Sequence, residues 1–473
     1  MMSKAEKNHS RRKFIKQLGG SAIIAASAPT VLAEAATIEG KNVQLLKRRG
    51  KVPANDRINV AAIGLGIMGF GNLDAGLKTD GVELVAGADC YDGHLIRLKE
   101  LYGAQVKGKR NYEEILDDPS VDAVIISTPD HWHARQAIEA MKKGKAVYCE
   151  KPMVKEIEEG EEIVRVHKDT KVAFQVGSQW ASSIVIHKAK ELFENGAIGQ
   201  LNFVEVYTDR FDPKGAWQYS IPPDASEITC DWKTFQGGVT DLPFDPVRFF
   251  RWRNYQDYGT GMAGDLFVHL FTRLHTITSS VGPNRIYASG GLNYWKDGRD
   301  VADLMLGLFD YPETDQHPAF NLSLRVNFID GSGGGDRMRL VGSEGEMVLN
   351  DYSVKVVNKQ LPEAPGYGGW DTFDTFPEKI QEQFVKEYNQ KYKDVKPRVS
   401  PVGELIFEAP RGYDMRVDHL ENWFNAIRTN EDTVEGPTFA LRTAAPALAA
   451  NLSLYEKQIM HWDPVKMRRV KNA

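Results

Sequence analysis

From Ile58 the chain reads INVAAI, a short apolar run that leads directly into Gly64-x-Gly66-x-x-Gly69 and then a helical pattern through Lys78. In such a strand-turn-helix one glycine makes the tight turn and a second lets backbone approach a pyrophosphate. The third lets helix and strand pack closely, and the phosphate sits at the positive helix N-terminus. A second β-type run, Glu83 to Ala88, ends at Asp89, 20 residues beyond Gly69, where a carboxylate can accept hydrogen bonds from ribose hydroxyls. These residue types at this spacing predict a dinucleotide cofactor. An anion at Asp89 repels a 2′-phosphate and no arginine follows it immediately, so NAD is favoured over NADP.

The elements that position this set alternate. Val121 to Ser127 reads as a strand, Trp132 to Lys143 as a helix, Ala146 to Cys149 as a strand, Ile157 to Lys168 as a helix and Val172 to Val176 as a strand. Such repetition predicts an α/β fold with a doubly wound parallel sheet. Ligands on these sheets sit beyond the carboxyl ends of the strands, which is where Thr128-Pro129 and Glu150-Lys151-Pro152 fall. Both segments are expected to line the cofactor crevice.

The 473 residues suffice for two or three domains, and 42% hydrophobic with 26% charged residues excludes global disorder. The net charge of −5, with six basic groups and one acid in the first 33 residues, leaves the remainder acidic and makes nucleic acid an unexpected partner. Ser10 to Ala33 reads SRRKFIKQLGGSAIIAASAPTVLA. Paired Arg11 and Arg12, an uncharged run and small residues at a cleavage position resemble a twin-arginine export signal, so a periplasmic destination and passage through that translocase are expected. The run is too short and too rich in Gly, Ser and Ala for a stable membrane anchor. Cys90, Cys149 and Cys230 are an odd number at wide spacing, neither a disulfide framework nor a metal knuckle. His131 and His133 flank Trp132 without a third ligand at metal spacing beyond Asp130, and no metal is expected.

Taken together, Gly64-Leu65-Gly66, the run Ser127-Thr128-Pro129-Asp130-His131-Trp132-His133, the run Lys143 to Pro152 ending Glu150-Lys151-Pro152, and Gly196-Ala197-Ile198-Gly199 resemble the Gfo/Idh/MocA superfamily of glucose-fructose oxidoreductases and inositol dehydrogenases. The resemblance covers most of the chain after residue 55. It implies a Rossmann domain, placed at 55–178, followed by an α+β domain with a large open, mainly antiparallel sheet at 179–473. It further implies that Lys151 sits beside the reacting carbon, that His133 lies near the nicotinamide, and that an Asp-x-x-x-His helix, here Asp265 to His269, completes the site.

The chemistry fits those types. Oxidising a carbinol requires hydride departure to the nicotinamide and proton loss from oxygen, so a base must lie within hydrogen-bond reach of that oxygen. His269 is the candidate base, with an unperturbed pKa near ~6.5. Asp265, one helical turn earlier, can point at the same hydroxyl or orient the histidine. Lys151 supplies a cation for the developing alkoxide.

After Gly199 a strand, Leu201 to Tyr207, opens the second domain. The irregular stretch Thr208 to Tyr258 is rich in aromatics and is expected to shape a substrate pocket or to pack on the sheet. Trp132, Arg253 and Tyr258 are the candidate substrate residues. Period-two strands follow at 285–290, 303–309, 320–328, 337–341 and 347–349. A charged amphipathic helix at Pro377 to Lys393 reads as an insertion, a lid or a plain surface helix, and helices at 417–428 and 439–458 should pack back on the body. The expected activity is oxidation of a sugar, polyol or glycoside hydroxyl with tightly bound NAD. The alternative is a redox-neutral NAD-dependent glycoside hydrolase, a branch that commonly departs from the EKP lysine present here. By resemblance, a homodimer or homotetramer associated through the open sheet is expected.

Overall fold

The structure is a computed structural model and describes residues 36–37, 53, 56–359, 361–395 and 403–470. The export signal read at 1–33 lies outside these residues. Strands β1 (Ile58–Ile63), β2 (Val82–Ala88), β3 (Lys107–Lys109), β4 (Ala123–Ile126), β5 (Ala146–Cys149) and β6 (Phe174–Val176) form one sheet in the order β3-β2-β1-β4-β5-β6. Every pairing in it is parallel. Because β1 reverses the direction in which the strands are added, a crevice opens beyond its carboxyl end, and ligands bind at such a reversal. Helices α1 (Ile67–Gly76), α2 (Asp92–Tyr102), α3 (Asp130–Lys142) and α4 (Glu159–Thr170) are the crossovers. β4 and β5 are buried at every position, as a sheet covered on both faces requires.

Helix α5 (Ile184–Glu194) leads into the second domain, whose sheet contains β7 (Leu201–Asp209), β8 (Arg285–Gly291), β9 (Leu304–Tyr311), β10 (Phe320–Asn327), β11 (Gly335–Gly342), β12 (Gly345–Leu349), β13 (Ser353–Asn358), β14 (Glu404–Glu408), β15 (Met460–Asp463) and β16 (Arg468–Arg469). Its order is β14-β13-β12-β11-β7-β10-β9-β8-β15-β16, with the short strand Ala36–Thr37 beside β14. Only β7 with β10 and Ala36–Thr37 with β14 pair in parallel; the other pairs are antiparallel. This is the large, mostly antiparallel sheet expected. Alternation sorts its faces: on β9, Met305 and Phe309 point into the core while Leu306 and Leu308 are exposed.

Helix α6 (Val268–Thr278), preceded by a π-helical turn at Ala263–Phe267, fills the core between the sheets. Helix α7 (Glu378–Lys391) has no buried residue and joins an aromatic group of Tyr367, Phe373, Phe376, Phe384, Tyr388 and Tyr392. Helices α8 (Met415–Thr429) and α9 (Pro437–Glu456) return to the body. From α8, Leu420, Trp423 and Phe424 join the core formed with Val60, Leu73 and Leu98 of the nucleotide domain. The last part of the chain therefore stabilises the first.

Between those layers Glu435 is fully buried, and among the described residues neither carboxyl oxygen has a hydrogen-bond partner. Burial pushes its pKa well up, and Glu150 nearby adds to the shift. An acid whose folded pKa is raised costs stability as pH rises above its unfolded value of about 4.3. Glu435→Gln is therefore expected to stabilise the protein by about 1–3 kcal/mol at pH 8 in urea unfolding. The gain should vanish as the pH falls to about 4; a gain independent of pH would contradict this account.

Candidate active site

Beyond the carboxyl ends of β1, β2, β4 and β5 lies a cavity of about 640 Å³ that runs from the glycine turn into the second domain. At one end Gly64 has φ +84°, and a Cβ there would lie 2.7 Å from Ser127 backbone. A Cβ on Gly69 would strike Gly64 O at 2.1 Å, so helix and turn pack with no room for a side chain. Gly66 is different: it lines the cavity, and a Cβ on it would meet nothing within 4 Å. Gly66 precedes α1 without any side-chain cap on the first-turn amides. Open space in front of uncapped helix amides suits a pyrophosphate, and a dinucleotide fits here on these grounds.

Asp89 lines the same end. Its Oδ2 accepts from Leu65 N at 2.7 Å and Oδ1 from Tyr91 N at 2.8 Å, which ties the glycine turn to the end of β2. His94, from α2, places Nδ1 3.1 Å from Oδ1 without the alignment of a hydrogen bond. Burial pulls the His94 pKa down, but Asp89 outweighs it and raises the value. Arg110, which also lines this end, is held by both oxygens of Asp92 and by Ile228 O. The sequence reading did not find His94 or Arg110, because their nearness to Asp89 arises from tertiary packing.

Thr128 and Pro129 line the cavity. Glu150 and His133, expected at the cofactor, are buried behind its wall. Glu150 accepts from Asn72 Nδ2 at 2.8 Å, and burial raises its pKa. The two nitrogens of His133 contact Pro152 O at 2.7 Å and Thr128 O at 2.8 Å. These residues brace the strand ends and do not line the cavity. His131 spans Tyr258 O and Phe235 O, and burial lowers its pKa to about 4.

At the far side of the crevice the two domains meet. Lys151 Nζ donates to Asp265 Oδ1 at 2.8 Å and to Asp265 O at 2.7 Å. Both side chains are nearly buried, at 9% and 13% exposure. Arg253 Nε lies 3.2 Å from the same Oδ1. Burial alone would raise the Asp265 pKa, but Lys151 and then Arg253 hold it well below the usual carboxylate range. An ammonium has three donors, so one remains for a ligand in the cavity that Lys151 lines. His269 lines the cavity too, and its Nδ1 has no hydrogen-bond partner among the described residues. Burial first, and then the Lys151 charge, push its pKa well below the ordinary value, so the ring is neutral around pH 7.

Asp265 therefore engages Lys151 and Arg253, and makes no hydrogen bond to the His269 ring. The π turn at 263–267 explains the departure from simple helical spacing, since it widens the helix between the two residues. A second strap fixes the same turn: Asp130 Oδ2 accepts from Thr260 N at 2.9 Å and Thr260 Oγ1 at 2.7 Å.

The aromatic stretch 208–258 divides. Trp217, Tyr219, Phe249, Phe250, Trp252 and Arg253 line the cavity. Tyr258, expected at the substrate, is fully buried outside the wall. It packs against Trp232 and Phe235, and its hydroxyl is 2.9 Å from Thr240 Oγ1. Its hydrophobic ring is worth more in that cluster than at a wet surface. Trp132 reaches the wall with its indole N–H committed to Phe235 O. Arg210, Trp180 and Arg273 complete the cavity and went unread in the sequence. Arg273, four residues after His269 on one helix, was the one that spacing could have signalled.

The carboxylate of Asp89 faces the end of the cavity where a ribose would sit, and this generates a test of cofactor choice. Asp89→Ala should lower the ratio of NAD to NADP affinity about tenfold, read by fluorescence titration. An unchanged ratio would show that His94 and Arg110 have already neutralised the anion.

Residues 58–178 match the family described as an oxidoreductase family with NAD-binding Rossmann fold, GFO_IDH_MocA. A levoglucosan dehydrogenase of Pseudarthrobacter phenanthrenivorans is 28% identical over 193 residues, 38% of this chain and 42% of that protein. A glycosyl hydrolase family 109 protein of Shewanella baltica is 33% identical over 172 residues, 33% of this chain and 36% of that protein. The chain thus spans about two fifths of the length of these curated relatives. A solved levoglucosan dehydrogenase in complex with NADH superposes with a TM-score of 0.60 at 17% identity, covering 85% of this chain and 98% of that one, and shows the same fold. Residues 58–178 thus carry the NAD-binding Rossmann fold of the GFO_IDH_MocA oxidoreductase family, and the relatives named for levoglucosan dehydrogenation and for glycosyl hydrolase family 109 are similar to this chain over a comparable length.

Proposed function

We propose that the protein oxidises a hydroxyl of a sugar, polyol or glycoside, with NAD held tightly in the cavity. The observation that carries this reading is the set of Lys151, held by Asp265, and neutral His269 in one cavity continuous with the glycine turn. The relatives named for levoglucosan dehydrogenation support a carbohydrate substrate. Bound NAD would supply the hydride acceptor, with its pyrophosphate on the α1 amides, its ribose at Asp89 and its nicotinamide end toward Lys151.

The remaining chemistry belongs to the side chains. The free donor of Lys151 holds the carbinol oxygen and stabilises negative charge as it develops. Neutral His269 accepts the hydroxyl proton as the carbon loses hydride. Asp265, ionised, fixes the lysine so that little reorganisation is needed when charge appears. A lysine with one of its three donors left for substrate is selective for an oxygen at one position.

The glycosyl hydrolase family 109 relative supports a second reading, in which transient oxidation assists glycoside cleavage and the cofactor returns to its starting state. The lysine and its carboxylate partner favour net redox. If the segment at 1–33 exports the protein, free nicotinamide is scarce at its destination, and both readings require a cofactor that stays bound. Association of copies through the open sheet, where Tyr287, Leu306 and Leu308 are exposed, is part of the same proposal.

The test is a near-ultraviolet spectrum of the purified protein with no cofactor added, repeated over a panel of sugars and glycosides with product analysis. A reduced-nicotinamide band that grows with one sugar and decays with a second is expected. Glycoside cleavage without lasting spectral change would establish the second reading, and no bound nicotinamide would contradict tight binding.

A further inference from the structure

The cavity does not end at Lys151 and His269. It continues to Arg273, Asp336 and Asp351. There it meets a second, more open depression of about 540 Å³ that shares Asp336 and Asp351 and is also lined by Asn350, Tyr352 and Glu408. Nothing in the chemistry of carbinol oxidation calls for this extension.

Its lining is selective. Asp336 Oδ1 accepts from Arg273 at 2.8 Å, and Asp351 lies 3.9 Å from the same guanidinium. Arg273 is 5% exposed, spreads over the Trp180 ring at 3.4 Å, and keeps a buried Nε without an acceptor among the described residues. Among the described residues it is the only cation within ion-pair distance of Asp336, Asp351 or Glu408. Three carboxylates against one guanidinium repel phosphates and uronates, and they accept hydrogen bonds from neutral hydroxyls. Tyr352 adds a flat ring at 59% exposure, in a turn held by Asn350 Oδ1 accepting from Tyr352 N and Ser353 N. A half-exposed aromatic beside carboxylates and an amide matches the apolar face and hydroxyl rim of a sugar ring.

We propose that this extension is a second sugar subsite, and that the substrate is a neutral glycoside of at least two units, with one ring at Lys151 and His269 and the next over Tyr352. The inference rests on the oxidoreductase reading for the first ring. It adds that chain length and neutrality are recognised by residues far from the reacting carbon.

The experiment is calorimetric titration of the NADH-loaded protein with glucose and galactose, with maltose, cellobiose, lactose and trehalose, and with UDP-glucose. At least one disaccharide should bind about tenfold more tightly than either monosaccharide. Tyr352→Ala, at an exposed turn position, should erase that advantage while leaving monosaccharide affinity within about twofold. Equal affinities for disaccharides and monosaccharides, an advantage that survives Tyr352→Ala, tighter binding of UDP-glucose, or no sugar binding at all would overturn the subsite. Disaccharide preference without nicotinamide reduction in the NAD-loaded protein would keep the subsite and overturn the oxidoreductase reading, so the two fail separately.

Discussion

A nearly buried ion pair joins the two domains. Lys151 stands at the carboxyl end of β5, Asp265 in the π turn before α6, and their contact closes the crevice that the parallel sheet opens. Taking both charges out of water is costly, and removing either partner would strand the other. The arrangement is sustained because the lysine finds two acceptors on one residue and the carboxylate finds a second cation in Arg253. What a stability argument would regard as a liability is, for chemistry, a cation held in place with a donor to spare.

The rest of the molecule can be understood as support for that pair. The glycine turn and Asp89 lie at the ends of β1 and β2, two and three strands from Lys151 and on the same side of the sheet, so these residues would hold a dinucleotide and Lys151 would stand toward its hydride-accepting end. Asp130 holds Thr260, His133 joins the two strand ends, and α8 packs its aromatics under the nucleotide sheet. The domains are thus bound by polar straps at the site and by apolar packing behind it, which fixes the crevice width.

The parts of this arrangement that depend on local sequence were legible. The glycine fingerprint, Asp89, the strand ends at Thr128 and Lys151 and both fold classes follow from period, turn chemistry and motif order. The parts that depend on what one element meets on another were not. Tyr258 looked like a substrate ring and packs in a cluster with Trp232 and Phe235, because nothing local distinguishes a wall aromatic from a core one. Glu150 and His133 belong to cofactor motifs yet act from behind the wall. The π turn escaped notice because Ala263 and Gly264 read as ordinary helix, and it decides that Asp265 meets the lysine and not the histidine ring. His94, Arg110 and Asp336 approach the site from elements whose sequence carries no chemical pattern.

The central proposal is that the Lys151–Asp265 pair promotes the hydride-transfer step. Single-turnover stopped flow tests it most directly, following nicotinamide reduction in the NAD-loaded protein, in Lys151→Met and in Asp265→Asn, with NADH affinity measured alongside. The account predicts that both substitutions slow the reduction step by about 10² or more while NADH affinity stays near that of the unaltered protein. Reduction at an undiminished rate in Lys151→Met would contradict it.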